Sequence, residues 1–64
     1  MIDPSAPLTC LASSGHVYPV RLLAADLRGK FPLVCAVDVG PREEIYLFRA
    51  DGEGQNDNYR LANA

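Results

Sequence analysis

Apolar residues fall in four short stretches along this chain, and glycine-bearing turns separate them. From Val17 to Ala25 the pattern has a period of two: Tyr18, Val20, Leu22 and Ala24 share one face, Arg21 and Leu23 the other. Such alternation predicts a strand. Pro19, which cannot donate a ladder hydrogen bond, suits the start or edge of it. The rival is a helix over Val20–Leu27, because Arg, Leu and Ala are good helix formers. So short a helix is marginal without strong packing. Phe31–Val39 is the strongest strand, with Leu33, Cys35, Val37 and Val39 on one face. Glu44–Ala50 predicts a further strand, with Ile45 and Leu47 on one side and Tyr46 and Phe48 on the other. Leu8–Ala12 predicts a short first strand, and the polar tail from Gln55 adds a strand or a helical turn, or packs across one end.

The turns between these runs read Ser13-Ser14-Gly15-His16, Asp26-Leu27-Arg28-Gly29-Lys30, Gly40-Pro41-Arg42-Glu43 and Asp51-Gly52-Glu53-Gly54. Short strands joined by such turns predict a mostly β protein, a small antiparallel meander of four to five strands. It would form a curled sheet or a partly open SH3-like barrel. Residues 1–7, with two prolines, read as a flexible arm, and 8–64 as a single domain. The expected core is Val20, Leu22, Leu33, Cys35, Val37, Ile45 and Leu47.

Length changes the picture. A folded monomer of 64 residues buries only about 60% of the surface its unfolded chain exposes. Domains this small usually lean on disulfides, a metal or partner subunits. The two cysteines, Cys10 and Cys35, each sit in an apolar run and read as core thiols. The N-terminus lacks the basic start and apolar stretch of a secretory signal, which points to a reducing cytoplasm. With one histidine and no close cysteine pair, no zinc site is expected, and no cofactor is implied. No apolar run approaches the roughly 20 residues of a membrane span.

Self-association remains. Leu33-Val34-Cys35-Ala36-Val37 and Ile45-Tyr46-Leu47-Phe48 are apolar in both phases. A half-exposed antiparallel sheet would alternate with polar residues. Either the tail and arm cover the second face, or another copy does, and a homo-oligomer is the expectation.

Candidate chemistry is sparse. His16, the only histidine, has Thr9, Ser13 and Ser14 near it in sequence, but no catalytic constellation forms and no enzyme is expected. A formal charge of −2 and a pI near 5.0 argue against general nucleic-acid binding. The informative residues are Arg21 and Arg49, arginines inside apolar strands. One reading has each snorkel to water or pair with a carboxylate. The other has them line a shared pocket and hold an anion. Glu43, Glu44 and Asp51 are expected in turns, too distant to neutralise a mid-strand arginine. The candidate ligand-binding set is therefore Arg21, Arg49, Tyr46, Tyr59 and Lys30, with the tyrosines as stacking faces and Lys30 at a pocket mouth. No catalytic or metal-binding residue is assigned.

The stretch from Ser14 to Glu53 resembles short, uncharacterised proteins of tailed bacteriophages and prophages. Their pattern runs Asp-Gly-Arg, a strand, Lys-Gly-x-Tyr-Pro-Ile-Val, an acidic turn, and an aromatic strand ending Ala-Asp-Gly. The matching residues are Ser14-Gly15-His16, Val20-Arg21-Leu22-Leu23, Arg28-Gly29-Lys30-Phe31-Pro32-Leu33-Val34, Glu43-Glu44 and Tyr46-Leu47-Phe48-Arg49-Ala50-Asp51-Gly52. The tail Tyr59-Arg60-Leu61-Ala62 lacks the acidic residue of the pattern. The resemblance implies a viral, non-catalytic protein that counters host defence in the host cytoplasm. Its foremost form is an oligomeric sponge that sequesters an anionic, cyclic nucleotide immune signal. The alternatives are an inhibitor docking directly on a host defence protein, and a structural or accessory phage protein.

Overall fold

The computed structural model describes the whole chain, Met1 to Ala64, and every regular element in it is a strand. The strands are β1 (Leu8–Ala12), β2 (Val17–Ala24), β3 (Leu33–Asp38), β4 (Glu43–Phe48) and β5 (Tyr59–Asn63). They form one antiparallel sheet in the order β4-β3-β2-β1-β5, curled into a half-barrel. The segment Val20–Ala24 is strand, not helix. β2 serves both halves of the sheet. Its start pairs with β1 at Thr9↔Pro19 and Leu11↔Val17, and its end pairs with β3 at Val20↔Val37 and Leu22↔Cys35. A register shift at Leu23 adds a bulge there, and bulges increase local twist and bend a strand.

The core is small. Cys10, Leu33, Cys35, Val37, Phe48 and Leu61 are buried in one cluster. Tyr18, Val20, Leu22, Tyr46, Tyr59 and Ile2 pack partly buried around it. One expected face is reversed. In β4 the inward residues are Tyr46 and Phe48, opposite Cys35 and Leu33, whereas Ile45 faces out and is 58% exposed. Leu47, in the same phase as Ile45, pairs with Val34 on the outer face. An all-apolar strand carries no alternation to say which phase is inside. Burying the two aromatic rings removes more apolar surface from water than burying Ile45 and Leu47 would.

The sheet's two outer strands, β4 and β5, are joined by residues 52–55. Arg49 N–H donates to the Glu53 carbonyl at 2.7 Å, and Gln55 N–H to the Leu47 carbonyl at 2.9 Å. On the other side Leu61 N–H donates to the Gly52 carbonyl at 2.7 Å, with a further bridge at Glu53↔Arg60. The segment expected as a simple turn is thus a clasp between β4 and β5. Its glycines are sterically required. A Cβ on Gly52 would lie 2.3 Å from the Leu61 carbonyl oxygen, and one on Gly54 would lie 2.5 Å from that of Tyr59. Residues 1–7 are docked on the domain: Ile2 N–H donates to the Ala50 carbonyl at 2.8 Å, and Asp3 N–H to Asn63 Oδ1 at 2.9 Å.

Candidate functional site

The five candidate residues separate into three places. The first holds Tyr46 and Tyr59. They project inward from the two outer strands of the sheet, and closure brings their ring centroids to 4.6 Å with planes tilted by 30°. Tyr18 of β2 lies 6.3 Å from Tyr59, and His16 lies 5.8 Å from Tyr18. All three tyrosines of the chain and its single histidine therefore form one row. Sequence reading paired Tyr46 with Tyr59 but missed Tyr18 and His16. For Tyr18 the signal was available: it shares the inward phase of Val20 and Leu22, whereas His16 precedes the strand and is exposed.

The far end of the row is polar. Tyr46 Oη donates to Glu44, whose other oxygen accepts from Arg42 Nε at 3.0 Å. The Tyr46 phenol is pushed well above the ordinary tyrosine range, first by this bond to Glu44 and then by burial. Glu44 is held low, first by the Tyr46 hydroxyl and then by Arg42. Beside Tyr59 opens a cleft bounded by Glu53, Gly54, Asp57 and Arg60.

Lys30 and Arg49 form the second place. Both line one shallow depression with Met1, Gly29, Pro32, Ala50 and Asp51, between the β2–β3 connection and the residues that follow β4. Neither takes part in a salt bridge; the two present are Arg21–Glu43 and Arg42–Glu44.

Arg21 is the third place, alone on the outer face, and here an expectation is corrected. Glu43 is not a remote turn residue but the first residue of β4. Its carboxylate accepts two hydrogen bonds from Arg21, at 2.9 and 3.0 Å. The pair reaches across β3, where the residue opposite Arg21 is Ala36. That small side chain leaves room for the two long ones to meet. Glu43 is held below the usual carboxylate range, chiefly by its hydrogen bonds from Arg21. Around this pair the outer face of β2, β3 and β4 carries exposed Leu23 and Ile45 and half-buried Val34 and Leu47, with Ala36 buried and Asp38 beside the pair.

Cys10 and Cys35 are both buried, unpaired thiols. Burial raises both, and Cys35 reaches about 11, with the neighbouring Cys10 thiol adding to the effect. A thiol so shifted is a poor nucleophile at neutral pH. No group of three His, Cys, Asp or Glu side chains comes together as a metal site would require.

No family model matches this chain, and neither curated proteins nor solved structures give a significant match. The class that fold and geometry define is a small half-barrel β domain with an aromatic row at one end.

Proposed function

We propose that this chain is a non-catalytic binding protein that self-associates through the outer face of β2, β3 and β4. It acts by holding a target rather than converting one. The observation that carries this reading is the exposed apolar face, with Leu23 at 45% and Ile45 at 58% exposure. Only eight residues of the chain are buried, so the monomer has little other apolar surface sequestered. Contiguous apolar patches mark interaction surfaces. A second copy is the partner that fits. The charges on this face gather at one place, Arg21 joined to Glu43 with Asp38 beside them, so a twofold pairing that buries the apolar side chains leaves these charges at its rim. Sedimentation equilibrium at micromolar concentration is expected to give a multiple of 6.9 kDa, and Ile45→Glu to return the monomer mass. A parent protein that is monomeric throughout that range removes the proposal.

A second reading, the anionic nucleotide sponge, has support of its own. Lys30 and Arg49 face one depression and neither is engaged in a salt bridge. Arg21 no longer contributes to it, being held by Glu43. In the phage setting the resemblance implies, either form would counter host defence in the host cytoplasm, by capturing a nucleotide signal or by docking on a defence protein. Calorimetric titration with cyclic di- and trinucleotides, beside Lys30→Ala and Arg49→Ala, tests the sponge. Binding by the parent and loss in both variants supports it; no binding by the parent removes it.

A further inference from the structure

Asp51-Gly52 is the only Asp-Gly step in the chain, and no Asn-Gly step occurs. It stands at the entrance to the clasp. An aspartate followed by glycine is the least hindered place for one rearrangement of the main chain, because the glycine carries no Cβ to shield its nitrogen. That nitrogen attacks the aspartate Cγ. The protonated carboxyl loses its hydroxyl, which leaves as water with the amide proton, and a five-membered succinimide closes. Water then reopens the ring. Addition at Cγ restores aspartate. Addition at the α-carbonyl leaves isoaspartate, with the main chain routed through Cβ and Cγ and one atom longer. The sum is an isomerisation, and water is its only co-reactant.

The folded chain brings the carboxyl forward and withholds the nitrogen. Asp51 is exposed, and its Oδ1 accepts from the Glu53 N–H at 3.0 Å, so the carboxyl reaches forward along the glycine. The Gly52 N–H donates to the Arg49 carbonyl at 2.9 Å, and the Gly52 carbonyl accepts from the Leu61 N–H at 2.7 Å. Gly52 is buried, and the Leu61 carbonyl and Ile2 leave it no room even for a Cβ. To reach Cγ the nitrogen must give up its proton and turn away from Arg49, which the closed clasp prevents.

We propose that Asp51 is a site of spontaneous isomerisation gated by the clasp. The ring closes only while residues 52–55 are detached from β4 and β5, and the isoaspartate that results keeps them detached. A main chain lengthened by one atom cannot return Gly52 to a contact without spare space, so its bonds with Arg49 and Leu61 do not re-form. Isomerisation is then a one-way record of clasp opening. It depends neither on self-association nor on any ligand.

The test is peptide mapping by mass spectrometry of the full chain after incubation in neutral buffer, folded and in urea. Isoaspartate is read from its retention shift at unchanged mass and from its diagnostic fragment ions, and the succinimide from the loss of one water. The folded parent is expected to isomerise at Asp51 at least about tenfold more slowly than the urea-unfolded parent, since the rate follows the open fraction. Gly54→Ala leaves Asp51-Gly52 intact but sets a Cβ 2.5 Å from the Tyr59 carbonyl oxygen, and should isomerise faster than the folded parent. Gly52→Ala, compared with the parent in urea, should be slower, because its Cβ shields the nitrogen. The isolated isoaspartate form should have lost amide-exchange protection at Arg49, Gly52 and Leu61. Equal rates in the folded and unfolded parent overturn the proposal, as does an absence of isoaspartate in urea or an isoaspartate form that keeps the parent's protection. If Gly54→Ala does not fold, the comparison of folded with unfolded parent still decides.

Discussion

Tyr46 and Tyr59 belong to the two outer strands of the sheet, yet their ring centroids lie 4.6 Å apart. Only curling can bring the two edges together, and the contact therefore depends on the clasp at residues 52–55 as much as on the tyrosines. The clasp also satisfies part of the β4 edge, through the bonds at Leu47 and Arg49. An open edge is a template for unwanted pairing, and here the chain covers its own.

Gly52 should be the most demanding glycine. It adopts φ +100° and faces the Leu61 carbonyl, whereas Gly15, at φ +94°, has open space where its Cβ would be. Gly15→Ala is expected to cost only the backbone strain, about 1 kcal/mol. Gly52→Ala adds a backbone clash that must push β5 away, and is expected to cost about 2–4 kcal/mol. Urea unfolding of the two variants compares them directly. Equal losses would mean that the clasp is not closed in solution.

The facing of β4 gives a second contrast. Phe48 is fully buried and Ile45 is 58% exposed. Phe48→Ala is expected to destabilise by about 3–5 kcal/mol, and Ile45→Ala by under about 0.5 kcal/mol in the monomer. Thermal unfolding at a concentration below self-association decides it. The reverse order would restore the facing that puts Ile45 and Leu47 in the core.

That facing marks where the sequence stops being informative. β2 was legible because Arg21 and the inward Val20 and Leu22 alternate, and β3 because Asp38 ends an apolar run in phase with Pro32. β4 was legible as a strand but not as an oriented one, since Ile45-Tyr46-Leu47-Phe48 is apolar in both phases. The Arg21–Glu43 pair was missed because it spans a strand: its distance depends on the small Ala36 between, which no local window weighs. The split of the candidate residues has the same origin. Lys30 and Arg49 meet only where the β2–β3 connection comes against the residues that follow β4, and Tyr18 meets Tyr59 only across the intervening β1.

The docked arm yields a third prediction. Ile2 packs against the core cluster, and its N–H is bonded to Ala50. Because its side chain is only partly buried, Ile2→Ala is expected to cost about 1–2 kcal/mol, below the range for a full core truncation. Chemical denaturation measures this, and a loss near zero would mean that the arm leaves the domain in solution.

The last prediction concerns the thiols and pH. Cys35 is raised from 9.0 to about 11 because burial disfavours the thiolate, and Cys10 is raised for the same first reason. In the unfolded chain both ionise near their ordinary value. Above about pH 9 the unfolded state therefore releases protons that the folded state keeps, and ionisation favours unfolding. The stability that depends on the neutral thiols is fully present below about pH 9 and declines as pH rises toward 11. The slope from Cys35 is at most about 1.4 kcal/mol per pH unit. Tyr46, raised by its bond to Glu44 and by burial, adds a decline of the same sign once its unfolded phenol ionises near pH 10, so the thiols are read in the window from pH 8 to 9.5. Urea unfolding across it should show the decline, and Cys35→Ala should lessen it to the part due to Cys10, despite a lower starting stability. Because both thiols are free, adding reductant at pH 7 should leave Tm unchanged. Stability that is level from pH 8 to 10 would place Cys35 in contact with water and undo the core as described.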